Sequence, residues 1–241
     1  MKRNVLSRLR FPALPCTEHL FTGFLMALIA GFVDVFCFVE VNRLFTAHIT
    51  GNLVIAITEI ITHTPGVVAK LIALPIFLII VMIITSIIEK VGQTKRLLYS
   101  LLVTEAVLLT LFMIIGHFII PLGDVRSWEY ISTGMLAVGA MAIHNTLLRT
   151  FMISLPPCTV MTGNFCQWIV DLVSYLWGKK LKYPIENVQI SIRGIKQFGT
   201  VLLSFGLGGL IAALGIVTIG FWSVLFSILT LLFMIAWVNF S

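Results

Sequence analysis

Four polar side chains stand inside long apolar runs of this 241-residue chain: Asp34, Glu105, His144 and Asn145. An ionisable group near the centre of a bilayer costs about 2.5–3.5 kcal/mol on insertion scales, so such groups usually mark an ion, proton or solute pathway. Two tripeptides accompany them. Thr50-Gly51-Asn52 and Thr162-Gly163-Asn164 each open a short apolar stretch, in "FTAHITGN" and "CTVMTGNF". A threonine there is a good helix N-cap, glycine permits close backbone approach, and asparagine offers both a donor and an acceptor. Two such helix N-termini meeting at depth would gather partial positive charge, which suits a polar or anionic solute. A plain helix start, used twice because the sequence was duplicated, accounts for the tripeptides equally well.

The elements that must position these groups are membrane helices. Hydrophobic residues make up 59% of the chain and charged residues 11%, with a mean hydropathy of +1.07. Soluble domains carry roughly 25% charged residues. A chain this apolar cannot cover a water-facing surface, so it is an integral membrane protein whose first partner is the lipid bilayer. The net charge of +6 sits in short clusters between apolar runs, as topology signals do, and nucleic acid is not expected as a partner. The four cysteines, Cys16, Cys37, Cys158 and Cys166, show no ligand spacing. With no nucleophile constellation or phosphate loop either, the chain reads as a non-enzyme with no metal and no cofactor.

Six stretches, at about 20–39, 67–88, 97–120, 130–153, 197–218 and 220–239, are long enough to cross roughly 30 Å of hydrocarbon as helices. The basic segment 1–19 precedes a retained first span rather than a cleaved signal, because the apolar run that follows is long and holds Asp34. Two further stretches, 50–62 and 160–177, begin with Thr-Gly-Asn. The first would be only about 20 Å long as a helix. Lysine and arginine cluster in the N-terminal segment, around 89–97, and in a basic loop at 178–196. If both short helices enter and leave on one side, all three clusters fall in the cytoplasm with both termini. Short helices lying in the interface give the same charge pattern. The expected fold is all-α: six transmembrane helices and two short, re-entrant ones.

The two halves match. Thr22 to Asp34 aligns with Thr133 to Asn145 at an offset of 111, and the tripeptides, followed by Glu59 and Asp171, align at 112. Three spans and one re-entrant helix per half make an odd number of crossings, so residues 20–121 and 130–240 form two inverted-topology repeats. Gly23, Ala27 and Gly31 share a helix face with Asp34, and Ser204, Gly208 and Ala212 form a second small-residue stripe. Such stripes let helices approach closely within the chain, and they also allow a homodimer. Glu105 is expected to pair with His117 or Arg149, or to share a proton pathway with Asp34. Glu59 and Asp171 are expected at solvated helix ends, and His48 and His63 at the outer interface. Arg149 can snorkel to the membrane surface and is assigned no role.

"GFVD" (Gly31 to Asp34), "FTAHITGN" (Phe45 to Asn52) and the later His144, Asn145 and Met161 to Asn164 resemble the YoaK-like family of small bacterial multi-pass membrane proteins, a family of unknown function. The likeness covers most of residues 20–240. It implies an inner-membrane location and a Gln where this chain has His144. Two functions are compatible with these residues. The first is a small secondary transporter or channel for a polar or anionic solute, with Asp34 or Glu105 available to bind a coupling proton. The second is a non-transporting scaffold or regulatory subunit of a partner complex.

Overall fold

The computed structural model describes residues 20–240, and the basic segment 1–19 lies outside them. Every described element is helical: α1 Leu20–Glu40, α2 Gly51–Thr62, α3 Val67–Val91, α4 Lys95–Ile119, α5 Trp128–Thr150, α6 Met161–Lys180, α7 Ile185–Ile219 and α8 Leu225–Phe240. Five segments are long and apolar enough to cross a membrane: α1, α3, α4, α5 and a 53-residue run, Ile185–Trp237. A 3-10 turn at Gly220–Val224 breaks that last run into α7 and α8, and Gly220 takes the positive φ of 58° that the break requires.

Segment 178–196, expected as a loop, is helical apart from residues 181–184. Hydropathy hides this because the stretch is amphipathic: Ile185, Val188, Ile192 and Ile195 recur at helical spacing among charged and amide residues. The 35 residues of α7 therefore rise about 52 Å, well beyond roughly 30 Å of hydrocarbon.

The inner layer is α1 and α5, both mostly buried, whereas α3 turns most of its surface outward. α1 packs against α7 and α8, α5 packs against α3 and α4, and α1 meets α5 at the centre. α6, expected to be short, has 20 residues and rises about 30 Å; α2 lies on α3 and α6 on α7, and α4 closes on α8. Phe36, Phe112 and Phe221 interlock edge to face where α1, α4 and the 3-10 turn meet.

The tightest helix crossing is between α1 and α7. A Cβ at Gly31 would run into the Phe205 carbonyl, and one at Gly208 into the Leu28 carbonyl. Two turns touching through backbone alone leave no room to adjust. Gly206, one residue pair away on α7, would place a Cβ in open space. Gly208→Ala should therefore lower the thermal stability of purified protein by about 1–3 kcal/mol. Gly206→Ala should be neutral or stabilising by about 0.5–1 kcal/mol. Equal effects of the two substitutions would mean that the helices do not cross at Gly208.

Candidate functional site

Asp34 lies six residues before the end of α1, and the chain that leaves α1 bends back to meet it. Asn42 and Arg43 make the reversal with φ of 45° and 60°. The Asp34 Oδ1 then accepts the backbone N–H groups of Thr46 and Ala47, each at 2.8 Å, with longer contacts of 3.4 Å from the His48 N–H and the Thr46 hydroxyl. Its Oδ2 meets His48 Nδ1 at 2.7 Å. Asp34 is 3% exposed, so the carboxylate is spent on the loop. The loop is drawn back along α1 by about 9 Å, six helical rises.

The tripeptide completes the clamp. Asn52 Oδ1 accepts from the Phe45 N–H at 2.9 Å while its Nδ2 donates to the Phe45 carbonyl at 2.8 Å. A Cβ on Gly51 would press into the Phe45 ring at 2.7 Å, so glycine makes room for it. Thr50 stands at the N-cap position of α2, but its side chain makes no capping bond. Gly51 thus permits the close approach expected of it, whereas Thr50 does not cap as expected and Asn52 is bound to the Phe45 backbone rather than facing a solute.

The second half reuses the parts with weaker bonds. Asn145 Oδ1 accepts from the Thr159 hydroxyl at 2.7 Å, and its Nδ2 donates to Met141 O at 3.0 Å. Asn164 Nδ2 donates to the Pro157 carbonyl at 2.7 Å, across the same seven-residue separation as Asn52 and Phe45. Proline has no N–H, so this second clamp keeps only one of its two bonds. Thr162 and Gly163 lie exposed in the first turn of α6.

Glu105 pairs with neither His117 nor Arg149. Its Oε1 lies 2.7 Å from His144 Nδ1, both side chains are fully buried, and His144 Nε2 lies 3.1 Å from the Met26 carbonyl of α1. His117 instead packs against Phe118 and Trp222. Glu59 is not a solvated helix end either. It is 2% exposed and forms an ion pair with Lys70, itself fully buried, at 2.8 Å. This ion pair ties α2 to α3. Asp171 is partly buried and presses its carboxylate against Gly194 of α7.

Between the two folded-back loops lies a cavity of about 300 Å³. The first loop contributes His48 and Thr50, α3 contributes Phe77, Val81 and Thr85, and α5 contributes Asn145, Thr146 and Arg149. Thr159 and Val160 enter from the second loop. A shallower hollow of about 460 Å³ lies on the other side of His48, bounded by Asp34, Gly51 and Phe205. Of the residues expected at the site, Thr50 and Asn145 line the cavity, and Asp34 and Gly51 border the hollow. Asn52, Glu105, His144, Thr162, Gly163 and Asn164 do not reach the cavity. His48 and Arg149 do, although they were expected near the membrane surface, and so does Thr159, of which nothing was expected. One signal was present: Arg149 follows Asn145 by four residues and so shares its helix face. Among the described residues, no three His, Cys, Asp or Glu side chains converge as metal ligands.

Comparison with known proteins agrees with a membrane reading. The chain is 30% identical over 161 residues to the UPF0700 transmembrane protein YoaK of Bacillus subtilis (strain 168), covering 66% of this chain and 69% of that protein. No solved structure matches. The family described as protein of unknown function (DUF1275) matches residues 22–237, nearly the whole described fold, and this chain belongs to it.

Proposed function

We propose that this protein is a small secondary transporter or channel for a small polar or anionic solute, with the cavity between the two loops as its binding site. One observation carries the reading. The N-cap residues of both Thr-Gly-Asn helices, Thr50 and Val160, border the same cavity as Arg149, and no carboxylate lines it. Helix N-termini carry about half a positive charge each. Together with the guanidinium they favour the anionic end of the solute class. At about 300 Å³ the cavity is at the small end of small-molecule sites, which run to about 1,000 Å³.

Hydrogen bonds between helix ends support six spans in two inverted repeats. Asn42, just past α1, donates to the Pro65 carbonyl in the α2–α3 turn, so α2 returns to the end where α1 finished. Gln93, in the α3–α4 turn, donates to the Thr150 carbonyl at the end of α5. α3 and α5 therefore finish together, and α5 runs opposite to α1. Exchanging each helix for its counterpart in the other half, α1 with α5, α2 with α6, α3 with α7 and α4 with α8, maps the set of helix pairings onto itself.

Charge supports the orientation. Leu20 lies beside Arg193, Lys196 and Gln197, and Phe21 meets Trp237 ring to ring at 5.2 Å, so α1 begins where α7 enters and α8 finishes. That end carries Lys90, Lys95, Arg96 and Arg149 as well, and basic residues of this kind face the cytoplasm. Both termini are then cytoplasmic, in an inner membrane.

Three outcomes follow. With Thr64→Cys in a cysteine-free background, an impermeant thiol reagent should label intact cells, because α2 turns back; labelling only in inverted vesicles would mean that α2 crosses and would end the inverted-repeat reading. Asp34→Asn should keep the fold, since an amide can accept the loop N–H groups and donate to His48, whereas Asp34→Ala should cost about 2–4 kcal/mol through lost charge-assisted bonds. Thermal melts decide this, and equal losses in both variants would give the negative charge itself the structural role. In a melting screen of purified protein against acetate, lactate and benzoate, a binding anion at about 100 times its Kd should add about 2.7 kcal/mol, and Arg149→Gln should remove the shift. Stabilisation by cations alone would overturn the anion preference.

A further inference from the structure

Glu105 and His144 admit a proton count. The Met26 carbonyl can only accept, so His144 Nε2, at 3.1 Å from it, carries a hydrogen. Nδ1 then faces Glu105 Oε1 at 2.7 Å, a separation that needs one proton between the two atoms. That proton resides on the carboxyl beside a neutral ring or on the ring beside a carboxylate, and the pair is net neutral in both cases. Removing it leaves one negative charge in a site that is 0% exposed on both side chains. An uncompensated buried charge is strongly unfavourable. Deprotonation therefore requires water to reach the pair, which means opening the seam between α4 and α5.

The second carboxyl oxygen strengthens this. Glu105 Oε2 is buried with no hydrogen-bond partner, unlike Asp34, whose two oxygens meet several donors. No other charge stands by to compensate. α8 and the 3-10 turn carry no Asp, Glu, Lys, Arg or His. On α1, Asp34, Cys37 and Glu40 begin eight residues, about 12 Å, beyond Met26. On α4, Lys95, Arg96, Tyr99 and His117 are at least six residues, about 9 Å, from Glu105. On α5, Glu129, Tyr130 and Arg149 are at least five residues from His144, about 7 Å along the axis. Lys70, Glu89 and Lys90 of α3 occupy its first and last turns.

We propose that Glu105 and His144 form a one-proton site whose occupancy sets the seating of α5 against α4 and, through Asn145, the shape of the cavity. Asn145 is the next residue on α5, lines the cavity and holds Thr159 of the second loop. Coupling of that proton to solute movement rests on the transporter reading; the proton site and its link to cavity shape do not.

The test uses the full chain without any solute. Infrared difference spectra of purified protein between acidic and alkaline buffer should contain a band of the shared proton, a carboxylic C=O where Glu105 holds it or an imidazolium ring mode where His144 does, that Glu105→Gln removes and Asp34→Asn leaves. In parallel, the rate at which an impermeant thiol reagent modifies Val160→Cys should change several-fold with pH beyond the reagent's own dependence, and Glu105→Gln should abolish the extra change. Should Glu105→Gln fail to assemble, His144→Gln should flatten the same labelling profile. Absence of both the carboxylic and the imidazolium band, or labelling profiles identical with and without Glu105, would overturn the proposal. A titrating band with pH-dependent labelling but no solute uptake would support the switch and count against the transporter reading alone.

Discussion

The Asp34 carboxylate does what water would otherwise do for a stretch of irregular backbone. Non-helical chain within a membrane protein survives only where its N–H and C=O groups are satisfied internally. Two amides at 2.8 Å on one oxygen and an imidazole on the other supply that for residues 46–48. Everything downstream leans on it. The seat of the loop fixes where α2 begins, and the position of Thr50 fixes one wall of the cavity. His48 also depends on it, because the carboxylate holds Nδ1 at 2.7 Å and so fixes the ring.

The two halves carry one plan at different strengths. Charge-assisted bonds to buried partners contribute about 1.5–3 kcal/mol each, neutral ones about 0.5–1.5. The first loop has the carboxylate, the imidazole and a two-bond clamp on Phe45. The second has an amide, a hydroxyl and a one-bond clamp on Pro157. Loop 151–160 is thus held less firmly than loop 41–50, and a cavity between them has one stiff wall and one that yields more easily. Asn145 belongs to the yielding wall and to the helix that bears His144.

The all-helical membrane class was legible because it rests on local pattern, in hydropathy and small-residue stripes. The likeness to the YoaK-like family, read from "GFVD" and "FTAHITGN", agrees with the family match over residues 22–237. What escaped was long-range pairing. Nothing in sequence joins Glu105 to His144, 39 positions later, rather than to His117 on its own helix. His48 was expected at the outer interface, and the turn at Asn42 and Arg43 instead brings it back against Asp34. The start of α7 escaped for a different reason: an amphipathic helix that leaves the membrane has no apolar run to announce it.

The acids also explain why no carboxylate lines the cavity. Each deep carboxylate is committed to a particular partner: Asp34 to loop amides and His48, Glu59 to Lys70, Glu105 to His144. None remains to neutralise Arg149, which has no ion pair among the described residues and faces the cavity at one helical turn from Asn145. Had Glu105 paired with Arg149, the cavity would have lost its cation and the buried His144 its proton partner in one step. On the reading proposed above, placing the acid on the far side of α5 keeps two roles apart on a single helix: a fixed positive charge toward the cavity, and an exchangeable proton toward α4.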